Sequence, residues 1–134
     1  MKVVIDTNVF VSGVFFSGPP HKILEAWRDG RIQLVISPEI LDEYYRVGKA
    51  LADRFSGVDL IPIFELVTVN ADMVSPADLA GPICDDPDDD KFFSCAVAAP
   101  SKFIISGDKH LLRKSGYGGI QVLKPRDFLE GVLS

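Results

Sequence analysis

Apolar residues recur along this chain in two rhythms. Short runs rich in Val and Ile occupy positions 3–5, 34–36, 103–106 and 120–123, the pattern of strands covered on both faces. Helical spacing fills the intervals. Residues 21–29 read as a helix stopped by Gly30, while Ser37 and Pro38 supply an N-cap and a proline at the first helical position. From Pro38 onward, Ile40, Tyr44, Val47 and Leu51 fall on one apolar stripe. The stretch 91–99 is almost wholly apolar after Lys91 and predicts a buried helix. The segment 51–70 is less regular. Leu60, Ile61, Ile63, Phe64 and Leu66 suggest a helix that runs into Leu66-Val67-Thr68-Val69, but Pro62 blurs its start. Residues 75–82 form a polar, proline-bearing connection. Strands alternating with helices predict an α/β fold, with a central parallel sheet of four to five strands flanked by helices.

Composition adds a frame. A length of 134 residues predicts a single domain over 1–134, and 47% apolar with 25% charged residues is ordinary for a globular protein. No apolar run approaches the roughly 20 residues of a membrane span. The opening Met1-Lys2-Val3-Val4-Ile5 is too short for a signal-peptide core and lacks a small-residue cleavage pattern, so a cytoplasmic location is expected. Cys84 and Cys95 lie in no CxxC pair and near no ligand-spaced histidine, which argues against zinc and against a disulfide framework. Both read as reduced packing residues.

The acidic residues carry the chemistry. Ligands of parallel sheets bind beyond the carboxyl ends of the strands, and both Asp6 and Asp108 stand there, each just past an apolar run. A helix N-cap is the competing reading for each; Thr7 and Asn8 would serve equally well as caps, which would leave Asp6 free. Glu43 lies at i+3 from Ile40 and i−4 from Val47, at the border of the buried face, whereas Glu39 and Asp42 turn toward solvent. Its competing reading is a salt-bridged border residue. Asp85-Asp86-Pro87-Asp88-Asp89-Asp90 holds five acids in six residues. Asp88 or Asp89 reads as the cap of the following helix, with Asp90 in its first turn, where the helix dipole favours negative charge. A calcium-binding EF-hand is excluded, because Lys91 and Val97 stand where its glycine and glutamate belong. Carboxylates that converge need a cation or a shared proton to coexist, and hard oxygen donors suit Mg²⁺ or Mn²⁺ better than zinc.

Four motifs in order carry a resemblance: Val3-Val4-Ile5-Asp6-Thr7-Asn8-Val9-Phe10-Val11-Ser12, Ser37-Pro38-Glu39-Ile40-Leu41-Asp42-Glu43, Asp86-Pro87-Asp88-Asp89-Asp90-Lys91-Phe92, and Ile105-Ser106-Gly107-Asp108-Lys109-His110-Leu111. Over essentially the whole chain they resemble the PIN domain, and more narrowly the toxins of prokaryotic toxin–antitoxin systems. The resemblance implies a three-layer α/β/α fold and a Mg²⁺- or Mn²⁺-dependent ribonuclease, often homodimeric and held inactive by a cognate antitoxin. Carried over by position, the family's acidic cluster falls on Asp6, Glu43, Asp90 and Asp108, with Thr7, Asn8 and Ser106 as polar support. Asp86 or Asp89 is the alternative to Asp90. In that scheme Asp6 and Asp90 bind metal directly, while Glu43 and Asp108 bind a second ion or orient water. Two ions roughly 3.5–4 Å apart would clamp the attacking and leaving oxygens of a phosphodiester. With only His21 and His110 present, a ribonuclease working by paired imidazoles is not supported.

Net charge pulls the other way. A formal charge of −5 does not advertise nucleic-acid binding. Much of it belongs to the proposed metal cluster, and Lys109, Arg113 and Lys114 follow Asp108 closely enough to form a basic edge for RNA. Arg46 and Lys49 extend that edge; solvated surface is the competing reading. A haloacid-dehalogenase-type phosphatase needs a second aspartate where Asn8 stands, and a dinucleotide site needs a glycine-rich turn that Asp6-Thr7-Asn8 lacks. The serious rival is a non-catalytic PIN fold that binds a partner. Trp27, Tyr44, Tyr45, Phe55 and Phe64 read as mostly core, or else as a dimer face.

Overall fold

Val3, Val4 and Ile5 are all fully buried. Successive strand residues point to opposite faces, so this burial places β1 (Lys2–Ile5) in the middle of a sheet covered on both sides. The computed structural model describes residues 1–55 and 57–133; Ser56, inside the irregular 51–70 segment, and Ser134, at the end of the expected domain, lie outside the described residues. Beside β1 run β2 (Gln33–Ile36), β3 (Asp72–Met73), β4 (Phe103–Ile105) and β5 (Gln121–Leu123), in the order β3-β2-β1-β4-β5. Every neighbouring pair is parallel. Val3 lies opposite Leu34 on one side and Phe103 on the other. The chain thus builds outward from β1 through β2 and β3, then returns across it to β4. That reversal of strand order opens a crevice at the carboxyl ends of β1 and β4.

The helices complete the three-layer α/β/α fold that the resemblance implies. They are α1 (Thr7–Phe15), α2 (Pro19–Arg28), α3 (Pro38–Ala52), α4 (Ile61–Asn70), α5 (Asp90–Ala98), α6 (Lys109–Leu112) and α7 (Pro125–Phe128). Ser37 caps α3 through the Ile40 amide at 3.3 Å, and Gly30, at φ 81°, ends α2 in the left-handed region that glycine tolerates. Pro62 sits in the first turn of α4, where a missing amide hydrogen costs nothing. The residue that blurs the boundary is therefore a start signal.

Three elements escape the hydrophobic pattern. The first is α1, whose polar stripe is only Asn8 and Ser12 on the cleft side: Thr7, Val9, Phe10, Val11 and Gly13 are all buried, because the helix is wedged against α2 and α3. At Gly13 a Cβ would come within 2.7 Å of the Pro20 carbonyl. The second is β3, with two exposed residues, and the third is α7, a single turn opened by Pro125.

Of the aromatic residues, Trp27 and Tyr44 are buried and Phe64 is half-buried, while Tyr45 and Phe55 are exposed. Tyr44 stacks on Phe10 with ring centroids 4.1 Å apart, and its hydroxyl donates to the Ile5 carbonyl. That bond ties α3 to the end of β1. Cys84 and Cys95 are buried free thiols, each pushed up to about 12, chiefly by burial. Among the described residues no helix is long and apolar enough to cross a membrane.

Candidate active site

At the point where β1 ends, Asp6 is only 4% exposed. Its amide donates to the Ile105 carbonyl at 3.0 Å and joins β1 to β4. Oδ1 accepts the Val9 amide at 2.8 Å, and Oδ2 accepts the Ser106 hydroxyl. Asp6 itself is thus the cap of α1, contrary to the expectation that Thr7 or Asn8 would free it. Strand passes directly into helix here, so the residue at the joint is the one whose side chain reaches the third amide of the new helix. Asp108 is likewise a cap, accepting the His110 amide at 2.8 Å, and its own amide donates to the Ser106 hydroxyl at 3.0 Å. The two readings are compatible. Both caps line one cleft.

Glu43 faces them from α3. Thr7 donates its hydroxyl to Oε1, and the Lys91 ammonium lies 2.5 Å from Oε2. The same ammonium lies 2.9 Å from Asp88. The Lys91 side chain is 4% exposed, so the pair with Glu43 is nearly removed from water. Burial draws the Lys91 pKa down, but Glu43 and Asp88 outweigh it and hold the group above its ordinary value.

The acidic run forms a 3₁₀ turn at Pro87–Asp89, capped by Asp86 through the Asp88 amide at 3.0 Å. Here the placement differs from the expected one. Asp90 turns both carboxylate oxygens back to the preceding loop, accepting the Ile83 amide at 3.2 Å and the Cys84 amide at 2.7 Å. Asp89 lines the cleft instead. Its carboxylate makes no capping bond to α5, and it shares a cavity of about 80 Å³ with Asp6, Thr7, Asn8, Glu43 and Asp108. The tighter three-residue turn preceding α5 sets which acid faces the cleft. A wider cavity of about 420 Å³ adjoins it and shares Asp6, Asn8 and Asp108.

Negative charge on this floor outweighs what offsets it. Burial pushes the Asp6 carboxyl from 3.8 up to about 6; the bonds from Ser106 and Val9 oppose the rise, and the charges of Asp108 and Asp89 add to it. Asp89 is raised as well, by burial and then by Asp108 and Asp86, against a smaller opposing effect of the Lys91 charge. Among the described residues no three histidine, cysteine or acidic side chains are already gathered closely enough to grip an ion. Even so, a buried carboxylate flanked by like charges, in a set made wholly of oxygen donors, fits a hard divalent cation.

A PIN domain family model matches residues 2–110 of the chain. The chain belongs to the PIN domain family. It is also similar to an uncharacterized protein of Methanocaldococcus jannaschii, 31% identical over 145 aligned positions that cover 97% of this chain and 90% of the relative. PIN domains are generally nucleases, so the fold is of the nuclease type and supports a hydrolase at that coarse level.

Around the cleft of this PIN domain, the basic edge is partly spoken for. Arg113 and His110 lie 4.0 and 3.7 Å from Asp85, and Arg46 lies 3.7 Å from Asp42 on the exposed side of α3. Lys109 and Lys49 are exposed and Lys114 is half-buried. Lys91 is the residue that pattern reading passes over. A signal for it exists: a lysine in the first turn of an otherwise apolar helix opposes the helix dipole and calls for an acidic partner.

Proposed function

We propose that this PIN domain is a Mg²⁺- or Mn²⁺-dependent endoribonuclease, acting as the toxin of a toxin–antitoxin pair. The carrying observation is the buried Asp6 carboxyl, held up to about 6 beside Asp89 and Asp108, with the Ser106 hydroxyl and the Val9 amide, neither of them cationic, as its hydrogen-bond partners. In this reading Asp6, Asp89 and Asp108 hold the ion, and Glu43 forms the facing wall. Asp90 holds the loop at Ile83 and Cys84, and so aims the turn that carries Asp89. When bound, the ion lowers the pKa of a water and stabilises negative charge on the phosphate.

The chain's own side chains do the positioning. Ser106 steadies Asp6, Thr7 steadies Glu43, and the exposed Asn8 amide stands at the rim of both cavities. Lys109, Arg113, Lys114 and Arg46 offer positive charge for the RNA backbone, which positions a strand without reading its sequence. A cytoplasmic location, a homodimer and a cognate antitoxin belong to the same proposal; exposed Phe16 and Phe55, with ring centroids 5.6 Å apart, support a protein contact.

Incubation of purified protein with a mixed RNA pool tests the reading, using Mn²⁺ or Mg²⁺ against EDTA and an Asp6→Asn variant. Metal-dependent cleavage that falls by about a hundredfold or more in the variant is expected. Intact RNA under both ions, with folded protein, would contradict it and favour a PIN scaffold that only binds a partner.

A further inference from the structure

We propose that Lys91 is an internal cation standing in for a second metal ion, so that the cleft takes one divalent ion at Asp6, Asp89 and Asp108 and none at Glu43. The inference rests on the metal-dependent reading above and deepens it. Both oxygens of Glu43 are already engaged, one by the Thr7 hydroxyl and one by the ammonium at 2.5 Å. The ammonium is nearly excluded from water and is held from a second direction by Asp88 at 2.9 Å. An ion placed on Glu43 would therefore lie against a fixed positive charge only a few ångströms away, where repulsion is weakly screened.

The floor offers the opposite environment. Among the described residues the Asp6 carboxylate is bonded by an amide and a hydroxyl and by no cation, and Asp89 and Asp108 both add to its negative surroundings. One short stretch organises both halves. Asp89 enters the cavity just before α5, and Lys91 leaves the first turn of α5 toward Glu43. Asp90, between them, is fastened to the loop. Lys91 acts through Glu43 and is thus a positioning residue. It fixes the wall carboxylate and sets the number of ions.

Counting bound Mn²⁺ by electron paramagnetic resonance, with folding followed by circular dichroism, tests this on the full chain. Wild type is expected to hold one ion and Lys91→Met two. Glu43→Gln, with its lysine intact, is expected to keep one ion with affinity within about threefold of wild type. Two ions on wild type, or one on folded Lys91→Met, would overturn the inference and leave the metal-dependent reading standing. So would a Glu43→Gln affinity weakened beyond that range, which decides the matter alone if Lys91→Met does not fold. A wild type that binds no Mn²⁺ would overturn both.

Discussion

On the floor of the cleft, Asp6 is buried beside two further acids and bonded only by an amide and a hydroxyl; on the wall, Glu43 meets an ammonium at 2.5 Å. Both carboxylates come from positions that a parallel sheet brings to its carboxyl edge, and both are largely withdrawn from water. They differ in what balances them. On the wall an ammonium of the chain itself pairs with Glu43 and is shared with the exposed Asp88, whereas the buried Asp6 on the floor carries a cost that folding alone does not relieve. Stability is built where the charge is matched, and chemistry is expected where it is not.

Opposite mutational signs follow. Lys91→Met should give the largest effect, a loss of about 3 kcal/mol or more in thermal or urea unfolding, because it leaves the largely buried Glu43 unpaired. Asp6→Asn should do the reverse. With the folded pKa at about 6 against 3.8 unfolded, Asp6 contributes stability that is fully present below pH 3.8 and is lost as the pH climbs through about 6. Removing its charge should therefore stabilise the protein in EDTA at pH 7 by on the order of 3 kcal/mol and flatten that part of the pH profile. Equal destabilisation by the two variants would break the contrast between floor and wall.

Smaller changes sharpen it. Tyr44→Phe removes the bond from α3 to the Ile5 carbonyl, and should cost about 1 kcal/mol in urea unfolding while weakening RNA cleavage through the displaced wall. Arg46→Ala breaks only an exposed pair with Asp42 at 3.7 Å. Its unfolding free energy should change by less than about 0.5 kcal/mol, and a filter-binding assay should show weaker RNA binding at low salt and a shallower salt dependence.

The four apolar runs and the acids placed just past them were legible because buried parallel strands have a simple signature and ligands gather at their ends. The Asp6–Asp108 edge and the border position of Glu43 follow from spacing alone. The acidic run was not resolvable to one residue. Composition cannot distinguish Asp89 from Asp90, since the choice depends on a 3₁₀ turn at Pro87–Asp89 and on two loop amides that Asp90 satisfies. Helix α1 was hidden for a different reason. Periodicity needs a broad polar face, and that of α1 is limited to Asn8 and Ser12. Lys91 was obscured by the apolar run it begins, because its partner on α3 lies 48 positions away.

The central claim, that the floor holds an excess of negative charge awaiting a divalent ion, is tested most directly by titrating the Asp6 side-chain carboxyl by carbon NMR, first in EDTA and then with saturating Mg²⁺. A midpoint near 6 without the ion, falling well below that value when Mg²⁺ is present, is the expected result. A midpoint near 3.8 in EDTA, or one that Mg²⁺ leaves unmoved, would contradict it.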